Sequence, residues 1–525
     1  MSRLTHPWSV LLGLVALACA SVLVVVVIPG SHLPAGDGAH LLAAGWRIGA
    51  SAAPVDDLLH RITPHPPFAY LLPALSVPLV GPRTTMAVQS ALGLGGLALG
   101  LRWIRPTVHL SALLAGWSLI ASSSVVWWST DQFALDWPAA ALVVLGLGAM
   151  VRALEPGRKG PAWRRGGIVA LLLLLPVFTK YTSVLPLAGG IAVAVLAGGW
   201  KRPVTRWAAA TVTVVGAAWL LWALDDLTAY GATTMSESGA GGPGGAVNQD
   251  PDLSVTERLS AARIGRWAMA LRDNLGAAPL ALVLLGIAGT RLRDTGSRIA
   301  ATGALLPLLV LPLTRIQPQP RYLLVSAVLL VAAALPSPRQ PRRHLFTGIC
   351  TVLAIISVIY NASLYRNLPP EDRPGHRDAA PTAGLGDWPW PAAPSWPIRS
   401  RVESRGTLEA LQALDAQLPA GETAALVRFD RDPERPSWAA IDLVARTADI
   451  EREWVVAESP QGQLLTPPGM QAPEWVWVSW TDATAAPALA WVQTHANLEQ
   501  AITWWSSDGT GGVVLPLGAH THHHP

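Results

Sequence analysis

The residues with the clearest potential for chemistry lie in a polar stretch, residues 31–70, between apolar segments of the chain. It contains a carboxylate at Asp37, an acidic pair at Asp56 and Asp57, and a histidine at His65 that two prolines follow. Ionisable groups beside a bilayer are costly unless they are paired or functional, so this stretch is a candidate site. The residues alone leave a solvated loop open as the alternative.

Further ionisable residues fall in loops that the predicted topology places on the same side: Asp131, Asp136, Lys180, Arg315 and Arg321. A carboxylate there can act as general base for an acceptor hydroxyl or amine, and cations can hold a phosphate leaving group. These residue types suit group transfer from a lipid phosphate. Simpler roles stay open: His65 can cap a helix, Lys180 can snorkel to the interface and Arg321 can pair with an acid.

Asp131 and Asp136 are also the candidate ligands of a divalent cation, because hard cations take carboxylate oxygens. Two acids five positions apart are a weak pattern. We therefore expect no required cofactor and leave a divalent metal open. The terminal AHTHHHP can chelate a metal, but an unstructured tail is the simpler interpretation.

Composition indicates a membrane protein. Of 525 residues, 51% are hydrophobic and only 14% are charged, and the formal net charge is +4. This composition excludes a soluble domain as the whole chain. The sequence has no basic patch with interleaved aromatic residues, so we expect no nucleic-acid partner. The two cysteines, Cys19 and Cys350, each lie in an apolar run, so neither a disulfide framework nor a CxxC metal site is available.

Hydropathy predicts about eleven membrane spans, counted as runs of roughly 17–25 apolar residues. The first, residues 8–28, crosses outward and is retained rather than cleaved. Residues 68–80 are short and interrupted by prolines, which favours a helix at the outer interface. With that assignment every tight basic loop falls on one face, which is the cytoplasmic face of a multi-pass plasma (inner) membrane protein.

Three smaller features follow from the same pattern. A tight outer hairpin is predicted at Lys180-Tyr181, between two apolar runs. A long outer loop is predicted over residues 225–274, with an irregular Gly-rich middle. Its last part, LSVTERLSAARIGRWAMALRDNL, has apolar and basic residues at helical spacing, which predicts a helix on the membrane surface or a solvated connecting helix.

The chain divides into three parts. Residues 1–365 form the membrane domain, residues 366–398 form a Pro-rich linker, and residues 399–525 alternate helical and strand-like segments. Strands are predicted at residues 424–429, 453–457, 474–480 and 512–517. The predicted fold class is an α-helical polytopic membrane protein with a small C-terminal α/β domain outside the membrane.

Five motifs in order resemble one family. They are the acid after the first span, TPHPPFAYLLPAL, DQFALDWPAAALVVL, FTKYTSVLPL and QPRYLLV. Together they resemble the integral-membrane C-type glycosyltransferases of the dolichyl-phosphate-mannose–protein mannosyltransferase type, which include bacterial aminoarabinose transferase relatives. The resemblance covers residues 1–365 and does not extend to the C-terminal domain.

The resemblance implies inverting transfer of a sugar from a polyprenyl-phosphate carrier to a glycan, lipid or protein acceptor at the outer face. It implies that Asp37 is the catalytic carboxylate of the first loop, acting as base or orienting the acceptor, and that Asp136 is the catalytic carboxylate of the second loop. It places His65, Lys180 and the pair Arg321-Tyr322 around the donor phosphate or substrate.

Two departures from the family pattern stand out. Asp37 is followed by Gly38 instead of a second acid, and the arginine that usually precedes the second-loop acid is missing, with Asp131 nearby instead. Two other classes remain open: a transporter or flippase of lipid-linked sugars, for which internal repeats are expected, and a non-catalytic scaffold that presents the C-terminal domain.

Overall fold

The fold is described from a computed structural model of the chain. It describes residues 36–60, 66–131, 133–155, 160–240, 255–290, 292, 294–314, 318–336 and 343–366, together with the strand residues 424–428, 454–456, 475–480, 502–505 and 511–516.

The membrane domain is helical. Its α-helices, in chain order, are α1 (Gly36–Ala50), α2 (Pro54–His60), α3 (Phe68–Ile104), α4 (Leu110–Ala121), α5 (Ser124–Asp131), α6 (Asp136–Ala153), α7 (Ala162–Thr179), α8 (Val184–Leu196), α9 (Pro203–Ala240), α10 (Val255–Arg258), α11 (Ala261–Leu275), α12 (Ala277–Thr290), α13 (Thr295–Val310), α14 (Leu324–Ala334) and α15 (Arg343–Arg366). Short 3-10 turns are formed by Tyr181–Ser183, Gly199–Lys201, Leu311–Leu313 and Pro320–Leu323.

Helix α6 lies at the centre of the helical domain. It packs against α3, α7, α8, α13 and α14. Of its 18 residues, 72% are buried. Glycines allow this close packing, since a Cβ on Gly100 of α3 would lie 2.7 Å from the Leu145 nitrogen, and one on Gly148 would lie 2.8 Å from the Gly100 oxygen. Lipid offers no hydrophobic driving force between helices, so such small residues supply the packing contact instead.

Several helices can cross a bilayer. Among the described residues, five are long and apolar enough, or six if the bent pair Ala261–Leu275 and Ala278–Gly289 counts as one span. The shorter apolar helices are Leu110–Ala121, Tyr181–Leu196, Pro320–Ala334 and Arg343–Ile359. Each of these segments overlaps a predicted span, whereas the predicted first span, residues 8–28, lies outside the described residues.

Helix α3 is kinked at Gly81, whose φ of +78° is a conformation that only glycine adopts without strain. Pro82 follows directly and cannot donate a hydrogen bond back to the preceding turn. The kink separates residues 68–80 from the rest of α3, close to the predicted boundary. That the first part lies at the outer interface stays a prediction.

The long loop predicted over residues 225–274 is partly wrong, because α9 continues to Ala240. Helix formers such as Ala, Leu and Met outnumber the glycines up to that point, so the helix extends past the apolar run. The predicted surface helix is present as α11. It meets α12 at a 96° bend, and Gly276, with a φ of +89°, lies at that corner.

The C-terminal strands form one mixed sheet. They are β1 (Ala424–Arg428), β2 (Trp454–Val456), β3 (Trp475–Trp480), β4 (Ile502–Trp505) and β5 (Gly511–Pro516), in the order β2-β1-β3-β5-β4. The strand β1 pairs in parallel with β2 and β3, and β5 pairs antiparallel with β3 and β4. Four strands are where the sequence predicts them, whereas β4 was missed because four residues are too few to show a period of two.

Candidate functional site

The turn before α6 fixes where Asp136 lies. In this turn the Phe133 amide donates to the Thr130 carbonyl at 3.3 Å, and the Ala134 amide donates to the Ser129 carbonyl at 2.8 Å. Phe133 has a φ of +50°, which is an uncommon and strained conformation for a bulky residue. Asp136 then begins α6 with its side chain only 5% exposed. A helix N-terminus stabilises negative charge, so the carboxylate is in a favourable position.

Lys180 lies directly after α7 and meets this carboxylate. Its backbone amide caps the helix by donating to the Pro176 carbonyl at 2.9 Å. Its Nζ donates to Asp136 Oδ1 in an ion pair, and the lysine side chain is 19% exposed. A helix C-terminus stabilises a cation. Each member of the pair is therefore matched to the helix end that carries it.

Arg321 and Tyr322 approach the ion pair from the 3-10 turn Pro320–Leu323. Lys180 Nζ lies 5.3 Å from the centroid of the Tyr322 ring, and Arg321 Cζ lies 5.1 Å from it. Arg321 Nη2 also donates to Tyr322 Oη at 3.3 Å, and its Nε donates to Gln319 Oε1 at 2.8 Å. The tyrosine thus lies within cation–π range of both cations.

We call Asp136, Lys180, Arg321 and Tyr322 the charged cluster. Four of the six residues that the sequence singled out as catalytic or substrate-binding come together in it, from three separate parts of the chain. It holds one carboxylate and two cations. This excess of positive charge suits an anionic group such as a phosphate.

Aromatic contacts connect the charged cluster to the start of α3. Phe68, which follows the HPP segment, packs on Phe178 with ring centroids 5.7 Å apart. Phe178 and Tyr181 also contact Trp219 of α9, at 5.2 and 6.0 Å. The HPPF segment and the FTKYT turn, two of the five motifs, are therefore neighbours in the fold.

Sequence reasoning missed a set of buried polar groups that flank Asp136 and Lys180. These are the hydroxyls of Ser129, Thr130 and Ser183 and the indole nitrogen of Trp137, each on a residue no more than 3% exposed. In the part of the chain that the structure describes, none of these atoms has a hydrogen-bond partner. Buried polar atoms are nearly always satisfied, so these groups suit a polar ligand or water. The only signal in the sequence is their position beside the charged residues.

The remaining predicted residues are less well defined. Asp37 lies in α1, which packs closely against α3 through Gly45 and Gly49. His65 and Arg315 lie outside the described residues, as do the side chains of Asp37 and Asp131.

The acidic pair of the first loop lies at the surface. Asp56 and Asp57 are both exposed on α2, and the carboxylate of Asp57 accepts a hydrogen bond from the Ser51 hydroxyl. The charged cluster therefore contains neither residue.

The possible metal site at Asp131 and Asp136 stays a prediction. Asp136 is paired with Lys180, and the Asp131 side chain lies outside the described residues. Within the described ranges, no group of three or more His, Cys, Asp and Glu side chains is arranged to hold a metal ion.

The helices and the charged cluster define a polytopic membrane protein with a polar site where helix ends meet. Its fold is similar to that of ArnT, a protein of known structure. The chain resembles ArnT from Cupriavidus metallidurans in the apo state, with a TM-score of 0.59 and 13% identity over 97% of both chains. It resembles the same enzyme bound to undecaprenyl phosphate with a TM-score of 0.58 and 14% identity, over 98% of this chain and 99% of that one.

The predicted family resemblance is therefore confirmed at the level of the fold. The likeness covers almost the whole chain, including the C-terminal part, where the sequence motifs showed none. An oligosaccharyltransferase from Archaeoglobus fulgidus is more distant, with a TM-score of 0.42 and 12% identity over 95% of this chain and 72% of that one. No protein-family profile and no curated protein sequence matches the chain.

Proposed function

We propose that this chain is a membrane glycosyltransferase that takes a sugar from a polyprenyl-phosphate donor and transfers it to an acceptor at the outer face. The reaction is an inverting displacement. The acceptor oxygen or nitrogen attacks the anomeric carbon, the bond from that carbon to the phosphate oxygen breaks, and the polyprenyl phosphate leaves with the bonding electrons. The proton of the acceptor passes to a carboxylate.

The charged cluster supplies the anion-binding half of this mechanism. Lys180 and Arg321 bind the phosphate and stabilise the negative charge that grows on it as the sugar departs. Asp136 holds Lys180 in place through the ion pair. Tyr322 contacts both cations and keeps them on one side of the site. We assign His65, which precedes Phe68 by three residues, to the donor or the sugar.

Asp37 supplies the base. It lies in α1, which is packed on the half of α3 that begins at Phe68, and Phe68 in turn contacts Phe178 beside the FTKYT turn. These contacts support a location of α1 on the side of the fold where the charged cluster lies. The buried hydroxyls of Ser129, Thr130 and Ser183, which lie near Asp136 or Lys180 in the sequence, are suited to bind the hydroxyls of a sugar.

One observation carries the proposal. Lys180 pairs with a buried carboxylate, and Lys180 and Arg321 both lie within cation–π range of the Tyr322 ring, in a fold similar to that of ArnT bound to undecaprenyl phosphate. That donor class contains the phosphate that the charged cluster is suited to bind.

Transfer from lipid donors tests the proposal directly. Purified full-length protein in lipid is mixed with a panel of radiolabelled polyprenyl-phosphate sugars and candidate acceptors, and transferred label is counted. We expect transfer by the wild-type chain and a loss of about 10²–10⁴-fold in Asp37→Asn, the usual effect of removing a general base.

Asp56→Asn is the matched control, because Asp56 is an exposed acid of the same predicted loop. It should leave the transfer rate unchanged. Equal activity of wild type and Asp37→Asn would remove Asp37 from the mechanism. Absence of transfer from every donor would instead favour a transporter or a scaffold.

A further inference from the structure

Helix α11 has a polar face that is buried in the protein. Arg263 is 0% exposed and Asn274 is 1% exposed, and Trp267 and Ala270 between them are also buried. The spacing of four, three and four residues places all four on one face of the helix. The sequence predicts a helix on the membrane surface or a solvated connecting helix, and neither alternative identifies Arg263 as buried.

These side chains bind the backbone of the segment that leads to Arg321 and Tyr322. Arg263 Nη2 donates to the Thr314 carbonyl at 2.9 Å. Asn274 Nδ2 donates to the Pro320 carbonyl at 2.7 Å, and also to Ala270 of its own helix at 2.9 Å. Pro320 is the residue directly before Arg321, so Asn274 fixes the point from which the cationic side chain extends.

Two other contacts anchor α11 itself. The Asn274 carbonyl accepts a hydrogen bond from the Ser123 hydroxyl, at the start of the segment that leads to Asp136. Trp267 packs in one apolar cluster with Leu311 and Leu323, and Tyr322 lies at its edge. The helix is thereby fixed to Ser123 and to the turn that carries Tyr322.

Burying an arginine and an asparagine is costly unless their polar groups are hydrogen-bonded, and here the bonds go to the segment that carries Arg321. We propose that Arg263 and Asn274 are positioning residues, which keep Arg321 and Tyr322 against Lys180 so that both cations reach one phosphate. This inference rests on the proposed function for its consequence, donor binding. The geometric part, that α11 holds the turn, is testable by itself.

Amide hydrogen exchange tests the geometric part on the full-length protein in lipid nanodiscs. The Tyr322 amide donates to the Gln319 carbonyl at 3.2 Å, so its exchange reports whether the turn is intact. In Asn274→Leu and Arg263→Met we expect exchange at Tyr322 to rise at least fivefold, the factor that corresponds to one lost hydrogen bond. Exchange in α6 should not change.

Arg263→Lys keeps a cationic donor and should restore most of the protection. Arg266→Met is the matched control, since Arg266 is an exposed arginine of the same helix. The geometric part is wrong if Tyr322 exchange is unchanged in Asn274→Leu and Arg263→Met. It is also wrong if exchange rises equally throughout the membrane domain, which would indicate a general loss of stability.

Binding of undecaprenyl phosphate tests the functional part. We expect the dissociation constant to rise about five- to tenfold in Asn274→Leu and Arg263→Met, and to stay near the wild-type value in Arg263→Lys and Arg266→Met. Unchanged affinity in a variant with rapid Tyr322 exchange would overturn the positioning role. If the wild-type protein itself binds no undecaprenyl phosphate, the proposed function fails, whereas the exchange result still decides whether α11 holds the turn.

Discussion

At the scale of single residues, Lys180 is held by two contacts of its ammonium group. It pairs with the buried carboxylate of Asp136 and lies over the ring of Tyr322, and each contact limits where its charge can go. Taking either charge of a buried pair away leaves the other uncompensated, which costs more than the pair itself contributes. Comparing a single variant with the double variant therefore measures what the ion pair contributes to the stability of the protein.

Lys180→Met should destabilise the protein by about 3–5 kcal/mol, because Asp136 is left buried without its partner. The double variant Asp136→Asn with Lys180→Met should recover much of that loss, since no charge then remains buried. Thermal unfolding in detergent measures both. A double variant less stable than Lys180→Met would contradict the ion pair as the structure places it.

Substitutions at Tyr322 can separate the role of its ring from that of its hydroxyl, because the two groups make different contacts. Tyr322→Phe keeps the aromatic face towards Lys180 and Arg321 and should bind undecaprenyl phosphate nearly as well as the wild type. Tyr322→Leu removes both cation–π contacts, worth about 0.5–2 kcal/mol, and should weaken binding by roughly two- to thirtyfold. Similar losses in the two variants would show that the hydroxyl, and not the ring, is what matters.

At the scale of elements, the junction of α3, α13 and α14 depends on one buried arginine. Arg105 is 1% exposed and donates to the Ala333 and Leu335 carbonyls, at 3.0 and 2.6 Å, and to the Ser297 hydroxyl. Burial lowers the pKa of Arg105, and the Asp294 carboxylate, 3.4 Å away, opposes that shift. The arginine thus donates hydrogen bonds to carbonyls at the C-terminal end of α14. The last carbonyls of a helix have no partner within the helix itself.

Close packing at the same junction predicts that Gly296→Ala is harmful. An added Cβ would overlap the Ile104 carbonyl oxygen, which is backbone and cannot rotate away. We expect a loss of about 1–3 kcal/mol of stability. Gly348→Ala in α15 is the control, because its Cβ would meet nothing within 4 Å. Thermal unfolding in detergent compares the two, and equal midpoints would argue against the packing of α13 on α3.

At the scale of the whole molecule, sidedness connects the fold to the proposed reaction. Basic residues lie at the starts of α7 and α9, among them Arg164, Arg165, Lys201, Arg202 and Arg206, and these segments are predicted to face the cytoplasm. The charged cluster lies at the opposite end of α7, beyond Thr179. If α7 crosses the membrane, the cluster is therefore on the outer face, as the proposed transfer requires.

Cysteine labelling tests this orientation. In a background without Cys19 and Cys350, Ala52→Cys and Lys201→Cys each place a thiol at an exposed position. A membrane-impermeant maleimide should label position 52 in intact cells, and position 201 only after permeabilisation. The reverse pattern would place the charged cluster on the cytoplasmic face and exclude transfer at the outer one.

Much of the fold could be predicted from the sequence, because it depends on local properties. Apolar runs of about twenty residues favour helices in lipid, since a helix satisfies its backbone hydrogen bonds within the segment itself. The break at Lys180 and four of the five strands were visible for similar local reasons. Asp136, Lys180, Arg321 and Tyr322 were also identified in advance, although as separate motifs on separate loops.

Only the tertiary structure decided how those residues meet. Packing between distant parts of the chain pairs Asp136 with Lys180 and places Tyr322 near two cations. It also buries Arg263. Helical periodicity identifies a face of α11 but not what covers it, and a basic residue on that face is expected in solvent by default. The physical reason is that burial depends on residues that are distant in the sequence. A buried charge can therefore be recognised only when the tertiary structure shows its partners.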